Sequence, residues 1–594
     1  MVDMKAKPFY LSDADCQWVE DTIAGMTKEE KIGQLFFNMG ASRDEEYLKM
    51  TVNQYHIGGI RYNPATSREV REQNRILQEN SKIPLIIACN TEAGGNGACV
   101  DGTMLGQQTK IGATGDVRYA YALGRISNQE AASIGCNLSF APVSDILYNW
   151  ENPVIGLRTY GNDVDRVCEM TRAYMDGAHS NPGFCCAAKH FPGDGLDFRD
   201  QHVANSVNSM TCEEWDASFG KVYQNLIDGG LEAIMAGHIM QPAYTRYYNP
   251  EIRDEDIQPA TLSPELIQGL LRGKLGFNGM VLTDASHMVG LTCRMKRSDM
   301  LPAAIAAGVD MFLFFNEMDE DYASMMAGYE NGVITEERLD EALHRILALK
   351  AHMGLHRKAK TELVPPVEVM EATIGREAHK QVAREISEKG ITLVKYKDED
   401  VLPMIPERYK RIMIVSVDGL TSGLLSIGAA MMSGGGKKPA EVLRDKLIAK
   451  GFDAFIYESP LAQLQKEMAS GKKPDINMYF AGKTPINEFV GKQDLIITLV
   501  NVAGGFQPVA RPGFSMSKGG GEIPWYVHEL PVIVVGTQQP FILADIPQAR
   551  TYINTYDAAD QTLDALVEKL MAGKEAFLGK DPVDAFCGLW DTRL

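Results

Sequence analysis

The segment Cys185-Cys186-Ala187-Ala188-Lys189-His190-Phe191-Pro192-Gly193-Asp194-Gly195 decides how this chain is read. Its first residues form a short apolar run of the kind a barrel strand takes. Ionisable side chains follow at once, and Pro192, Gly193 and Gly195 then end the run. In a parallel (β/α) barrel the strand bodies fill the core and the loops leaving their carboxyl ends build the active site. An apolar run that turns ionisable at its end fits that plan.

Working outward, the same pattern recurs. Apolar runs bounded by Gly, Pro or Asn and followed by helical periodicity occur at Ile32–Phe37, Gly58–Tyr62, Leu85–Cys89, Leu138–Ala141, Cys185–His190, Ala233–His238, Met280–Thr283 and Met311–Phe315. That makes eight, the number a closed barrel requires. The predicted fold class is therefore α/β, a (β/α)8 TIM-like barrel over residues 1–364. Pro365-Pro366 and an amphipathic stretch from Ile374 to Lys389 mark a linker over 365–395. A second set of runs follows at Arg411–Val417, Ala454–Tyr457, Leu495–Val500, Val532–Gly536 and Tyr552–Tyr556. These predict an open α/β sandwich domain over 396–594. The Gly-rich pieces Ser433–Lys438 and Lys518–Glu522 lack the spacing of a Walker or dinucleotide loop and read as loops.

Composition narrows the function. A formal net charge of -19 argues against a nucleic-acid partner, which needs clustered Lys and Arg. No apolar stretch of about 18 residues occurs, and the N-terminus has no signal-like apolar core. No membrane association is expected. Ten cysteines are scattered, with no CxxC pair and no Cys/His cluster at zinc spacing. Buried reduced thiols, no metal and a cytoplasmic location are the expectation. Nothing in the sequence bears on oligomeric state.

Polar residues gather at the ends of five runs: Asn90-Thr91-Glu92, Val143-Ser144-Asp145, Lys189-His190, Gly237-His238 and Thr283-Asp284. Any one of them could be a strand-end cap. Together at one barrel mouth they supply what binding sugar hydroxyls and stabilising an oxocarbenium-like transition state requires. Here the chain resembles glycoside hydrolase family three, in its β-N-acetylglucosaminidase-like branch, over nearly its whole length. The resemblance is carried by KHFPGDG at Lys189–Gly195, Asp200-Gln201-His202, GFNGMVLTDA at Gly276–Ala285, FAPVSDI at Phe140–Ile146 with Arg158-Thr159-Tyr160-Gly161, and GITLVK at Gly390–Lys395.

The resemblance implies retaining, exo-acting cleavage of a terminal β-D-glucoside or N-acetyl-β-D-glucosaminide, with no cofactor. Asp284 would be the nucleophile and Asp200 with His202 the acid/base pair. Lys189, His190, Arg158, Glu92 and His238 would bind the sugar. An aspartate two residues before a loop histidine can hold its imidazole, and an imidazole, with its unperturbed pKa near about 6.5, can both give and take a proton. Two departures stand out. Asn90-Thr91-Glu92 replaces an Asp-x-Glu-type segment, and Asp194 stands where N-acetylglucosaminidases place His.

A histidine shuttle also leaves room for inorganic phosphate as acceptor, because a second carboxylate there would repel it. Phosphorolysis giving a sugar 1-phosphate is thus the alternative to hydrolysis. Two rivals remain: a proton donor from the second domain, Glu522, and an inactive sugar-binding protein.

Overall fold

The computed structural model describes residues 2–398, 400–418, 437–471, 485–502, 511–514 and 521–594. The chain folds as two units, residues 1–108 with 116–382, and 109–115 with 383–594. The division falls inside the helix Glu377–Gly390. Residues 365–395, expected to be a linker, hold that helix, the helix Val367–Thr373 and the start of a strand.

In the first unit eight strands form one parallel ring: β1 Phe36–Met39, β2 Gly59–Arg61, β3 Ile86–Cys89, β4 Leu138–Ser139, β5 Cys185–Phe191, β6 Ala233–Ala236, β7 Met280–Thr283 and β8 Phe312–Leu313. Neighbours in sequence pair in order, and β8 returns to β1 through Phe36 opposite Phe312. A parallel bridge between Leu282 and Met311 closes the ring between β7 and β8. The expected TIM-like barrel is thus present. Its core is built from buried side chains such as Phe37, Phe140, Ala187, Met235 and Leu282, and Phe37 and Phe140 meet at 5.4 Å between ring centroids.

One strand sits later than expected. Thr27 and Glu30 form a capping box, each side chain bonded to the other's backbone N–H, and this starts the helix Lys28–Gln34. Ile32 is therefore helical and β1 begins only at Phe36.

In β5 the pairing with β6 shifts by one residue between Ala188 and Phe191, at the cis Lys189–His190 peptide. A bulge re-aims side chains that would otherwise alternate between faces. Lys189 and His190, neighbours in sequence, both reach polar partners at the mouth.

The second unit holds six strands: β9 Thr392–Tyr396, β10 Arg411–Asp418, β11 Asp453–Ile456, β12 Leu495–Asn501, β13 Val532–Gly536 and β14 Thr551–Asn554. Their order is β9-β14-β13-β12-β10-β11; β9 is antiparallel to β14 and the rest are parallel. The five parallel strands thus have the doubly wound order 2-1-3-4-5. Successive residues serve opposite faces. Ile412 and Ile414 join one core with Leu443 and Leu566, while Met413, Val415 and Val417 join another with Tyr526 and Ile542. The sheet is therefore covered on both sides. The Gly-rich pieces fall mostly outside the described residues; Glu522 belongs to this second unit.

Candidate active site

Asp284 follows the last residue of β7, and its backbone N–H continues the ladder to the Ala236 carbonyl at 2.9 Å. Its Oδ1 accepts the Ala285 N–H at 2.7 Å. Burial works to raise its pKa. The neighbouring His190, His238 and His202 together with the Ala285 N–H outweigh burial and hold the carboxyl down at about 2. The group is a carboxylate at neutral pH.

Beside it a network of charges fills the ends of β3 and β5. Arg158 grips Glu92 with two bonds, Nε to Oε2 at 2.8 Å and Nη2 to Oε1 at 3.0 Å. Lys189 Nζ reaches the same Oε1 at 2.5 Å. Burial opposes the charge on all three groups. Arg158 and Lys189 pull Glu92 below the usual carboxylate range, Glu92 raises Arg158, and burial leaves Lys189 below the ordinary lysine value. His190 approaches Asp284 Oδ2 at 3.9 Å through Nε2. Its Nδ1 bonds Asp145 Oδ2 at 2.7 Å, and the Asp145 carboxylate also accepts the His190 and Asp194 backbone N–H groups. With Nδ1 so committed, Nε2 is the ring nitrogen that faces Asp284 and Arg158 at the mouth.

The Asp200-Gln201-His202 loop reaches the same place. Nδ1 of His202 bonds Asp200 Oδ1 at 2.7 Å, and the His202 N–H donates to that oxygen at 2.8 Å. Asp200 is buried, while the His202 side chain keeps 32% of its surface exposed. The loop is tied to the turn after Asp284: Val289 N–H donates to the His202 carbonyl at 3.0 Å and Gly290 N–H to the Gln201 carbonyl at 2.9 Å. Glycine is needed at 290, since a Cβ there would lie 2.7 Å from the Gln201 carbonyl oxygen.

His238 takes a different part from the one expected. Its Nε2 bonds the Ala285 carbonyl at 3.0 Å and its Nδ1 the Thr261 hydroxyl at 2.9 Å, with the residue 1% exposed. Burial lowers its pKa below the ordinary histidine value. Both ring nitrogens thus bond within the protein, one of them to the turn that carries Asp284.

Asp284, His190, His202 and His238 are thus brought within electrostatic reach of one another, and Asp284 also acts on Arg158 and Lys189. Asp200 joins through His202, and Glu92 through Arg158 and Lys189. Sequence reasoning missed four supporting residues. Asp145 was visible only as a strand-end acid. Gln201 carried no signal, yet its Oε1 accepts the His238 N–H at 2.8 Å and its Nε2 donates to Asp194 Oδ2 at 3.2 Å. Asp194 is buried, and burial followed by the nearby Asp145 pushes its carboxyl up to about 6. Arg61, at the end of β2, is a further cation near Glu92, lowered by burial, with its Nε unbonded.

Residues 27–349 match the family described as Glycosyl hydrolase family 3 N terminal domain. The chain belongs to glycosyl hydrolase family 3. It is 38% identical to a "Beta-N-acetylglucosaminidase/beta-glucosidase" of Cellulomonas fimi over 595 residues, all of both chains. Among solved structures it is similar to "Beta-glucoside phosphorylase BglX", with a TM-score of 0.88, 36% identity and 99% of each chain covered. A family 3 β-N-acetylglucosaminidase from Paenibacillus sp. shares the fold at a TM-score of 0.75 and 24% identity, over 94% of this chain and 99% of that one. The family 3 assignment makes this chain a glycosidase acting on a glycoside substrate. Among the described residues no helix is long and apolar enough to cross a membrane.

Proposed function

We propose that this family 3 enzyme cleaves terminal, non-reducing β-D-glucosides or N-acetyl-β-D-glucosaminides by double displacement. Asp284 attacks the anomeric carbon, and the aglycone is expelled as the covalent glycosyl-enzyme forms. His202 gives its proton to the departing oxygen, then takes one from the acceptor that releases the sugar. Asp200 holds the imidazole Nδ1–H, so that Nε2 is the nitrogen that exchanges protons. Arg158, Lys189 and His190 hold the sugar hydroxyls, while Glu92 fixes the two cations in place. The observation that carries this reading is the pair of hydrogen bonds from Val289 and Gly290 to the dyad loop. They couple the proton shuttle to the segment carrying the nucleophile.

Trapping with a 2-deoxy-2-fluoro glycoside tests it: the expected adduct lies on the peptide containing Asp284, and an adduct elsewhere overturns it. His202→Ala should abolish turnover of poor leaving groups. If Glu522→Ala abolishes it instead, the proton donor comes from the second domain.

Phosphorolysis is the second reading, favoured by the full-length likeness to a β-glucoside phosphorylase. An exposed imidazole in place of a second carboxylate adds no like charge against an incoming phosphate. Nitrophenyl β-glycosides assayed with and without phosphate decide it. Unchanged rates and no sugar 1-phosphate leave water as the acceptor.

A further inference from the structure

We infer that Cys185, Glu232 and His352 form a zinc site at the floor of the barrel, the end opposite Asp284. Cys185 opens β5, Glu232 immediately precedes β6, and His352 ends the helix Glu336–His352. The Cys185 Sγ, a Glu232 carboxylate oxygen and a His352 ring nitrogen all lie within 4.8 Å of one another. Thiolate, imidazole and carboxylate are the donors zinc takes, whereas magnesium and calcium prefer oxygen alone.

The surroundings set each donor as a ligand. His352 Nδ1–H donates to the Phe9 carbonyl at 2.8 Å, which leaves the lone pair on Nε2, 3.7 Å from Glu232 Oε1. A backbone carbonyl on the far ring nitrogen is the usual support of a metal-bound histidine. The Cys186 N–H occupies Glu232 Oε2 at 3.1 Å, so Oε1 is the oxygen turned toward the cluster. A fourth donor stands beside it. His179, at the end of the helix Val164–His179, brings Nε2 to 2.8 Å from Oε1. Two ring nitrogens thus face one carboxylate oxygen beside the Cys185 thiol.

Cys185 is fully buried and Glu232 nearly so, while the side chains of His179 and His352 keep 28% and 29% exposure and give an ion a way in. On binding, the Cys185 thiol releases its proton to solvent and the thiolate ligates. The site would pin together two strand starts and two helix ends, and would stabilise the fold because the unfolded chain does not gather these donors. Without an ion, two protonated imidazoles and the Cys185 thiol all bond Glu232 and the thiol keeps its proton, whereas with zinc it is a thiolate. Cys185 therefore discriminates.

The test uses the full chain, stripped with a chelator and titrated with Zn2+ by calorimetry and with Co2+ by absorption. One Zn2+ per chain, proton release, and a thiolate-to-cobalt charge-transfer band are expected. Cys185→Ser should remove the band and weaken Zn2+ binding by about 10-fold or more, and His352→Gln should weaken it comparably. Zn2+ but not Mg2+ should raise Tm. Turnover of a nitrophenyl β-glycoside should be unchanged in both variants, since neither residue is at the mouth. Absence of saturable Zn2+ binding near neutral pH overturns the proposal, as does Zn2+ binding that Cys185→Ser leaves unchanged. If that variant fails to fold, a wild-type cobalt spectrum without the thiolate band has the same force.

Discussion

At the floor of the barrel Asp310 is enclosed by Arg272 at 2.9 Å, Arg338 at 2.5 Å and Arg345 at 3.3 Å. Arg272 and Arg338 turn further donors to the carbonyls of Gly279, Ile305 and Val309. At the mouth a comparable density of charge is arranged otherwise. Asp284 meets His190 only at 3.9 Å, and His202 stays one-third exposed. Charges that satisfy one another hold a fold together. Charges aimed at shared space and kept there by a second layer of partners are set to receive something else. The same residue types thus serve stability at one end and chemistry at the other.

That contrast can be broken by experiment. The largest effect is expected at the mouth: Asp284→Asn should lower kcat by about 10^4-fold or more, with Tm little changed. A drop in Tm with activity retained would reverse the contrast. Next, His202→Ala should cost about 10^2 to 10^4 in kcat for poor leaving groups and far less for activated aryl glycosides. Equal losses across a leaving-group series would deny it the role of proton donor. At the floor, Asp310→Ala should cost about 3 to 5 kcal/mol of unfolding free energy by taking from Arg272 its carboxylate and leaving Arg338 and Arg345 to share Glu341 alone, with KM of the folded fraction unchanged. A changed KM at full folding would show that the floor reaches the site.

The smallest effect concerns Asp194. Its carboxyl is raised from 3.8 to about 6 by burial and by Asp145, so between those values the folded chain holds a proton that the unfolded chain has lost. Stability from this group is therefore greatest at low pH and declines as pH rises through the folded value. The stability difference between wild type and Asp194→Asn, followed by denaturant unfolding from pH 4 to pH 7, should change in that window, moving in favour of the Asn variant as pH rises. A flat difference would show that Asp194 does not titrate there.

Much of the barrel was legible because its strands are short apolar runs that end in chain-stopping or polar residues. All eight runs overlap an observed strand. The first is displaced because Thr27 and Glu30 form a capping box, a local signal that outweighs the apolar Ile32. Of the two larger sheets, β9 was the strand missed: its residues 392–395 lie in the stretch read as a linker, and among the described residues it pairs with β14, more than 150 residues away. In the site, the side chains at strand ends could be named from position, and so could the Asp200 and His202 spacing. For His238 nothing local indicates that its ring bonds Thr261 and Ala285.

The sequence by itself determined the order of strands and helices, the strand ends that carry ionisable groups, and the class of chemistry those groups suit. Those are properties of short windows, set by apolar periodicity, turn residues and side-chain type. Tertiary structure alone decided which of these groups keep a valence for a substrate and which spend it within the protein. It likewise gathered Cys185, Glu232 and His352 into one cluster. Bonding partners are distributed by closure of the barrel, which brings together residues tens to hundreds of positions apart, and no pattern along the chain records that distance.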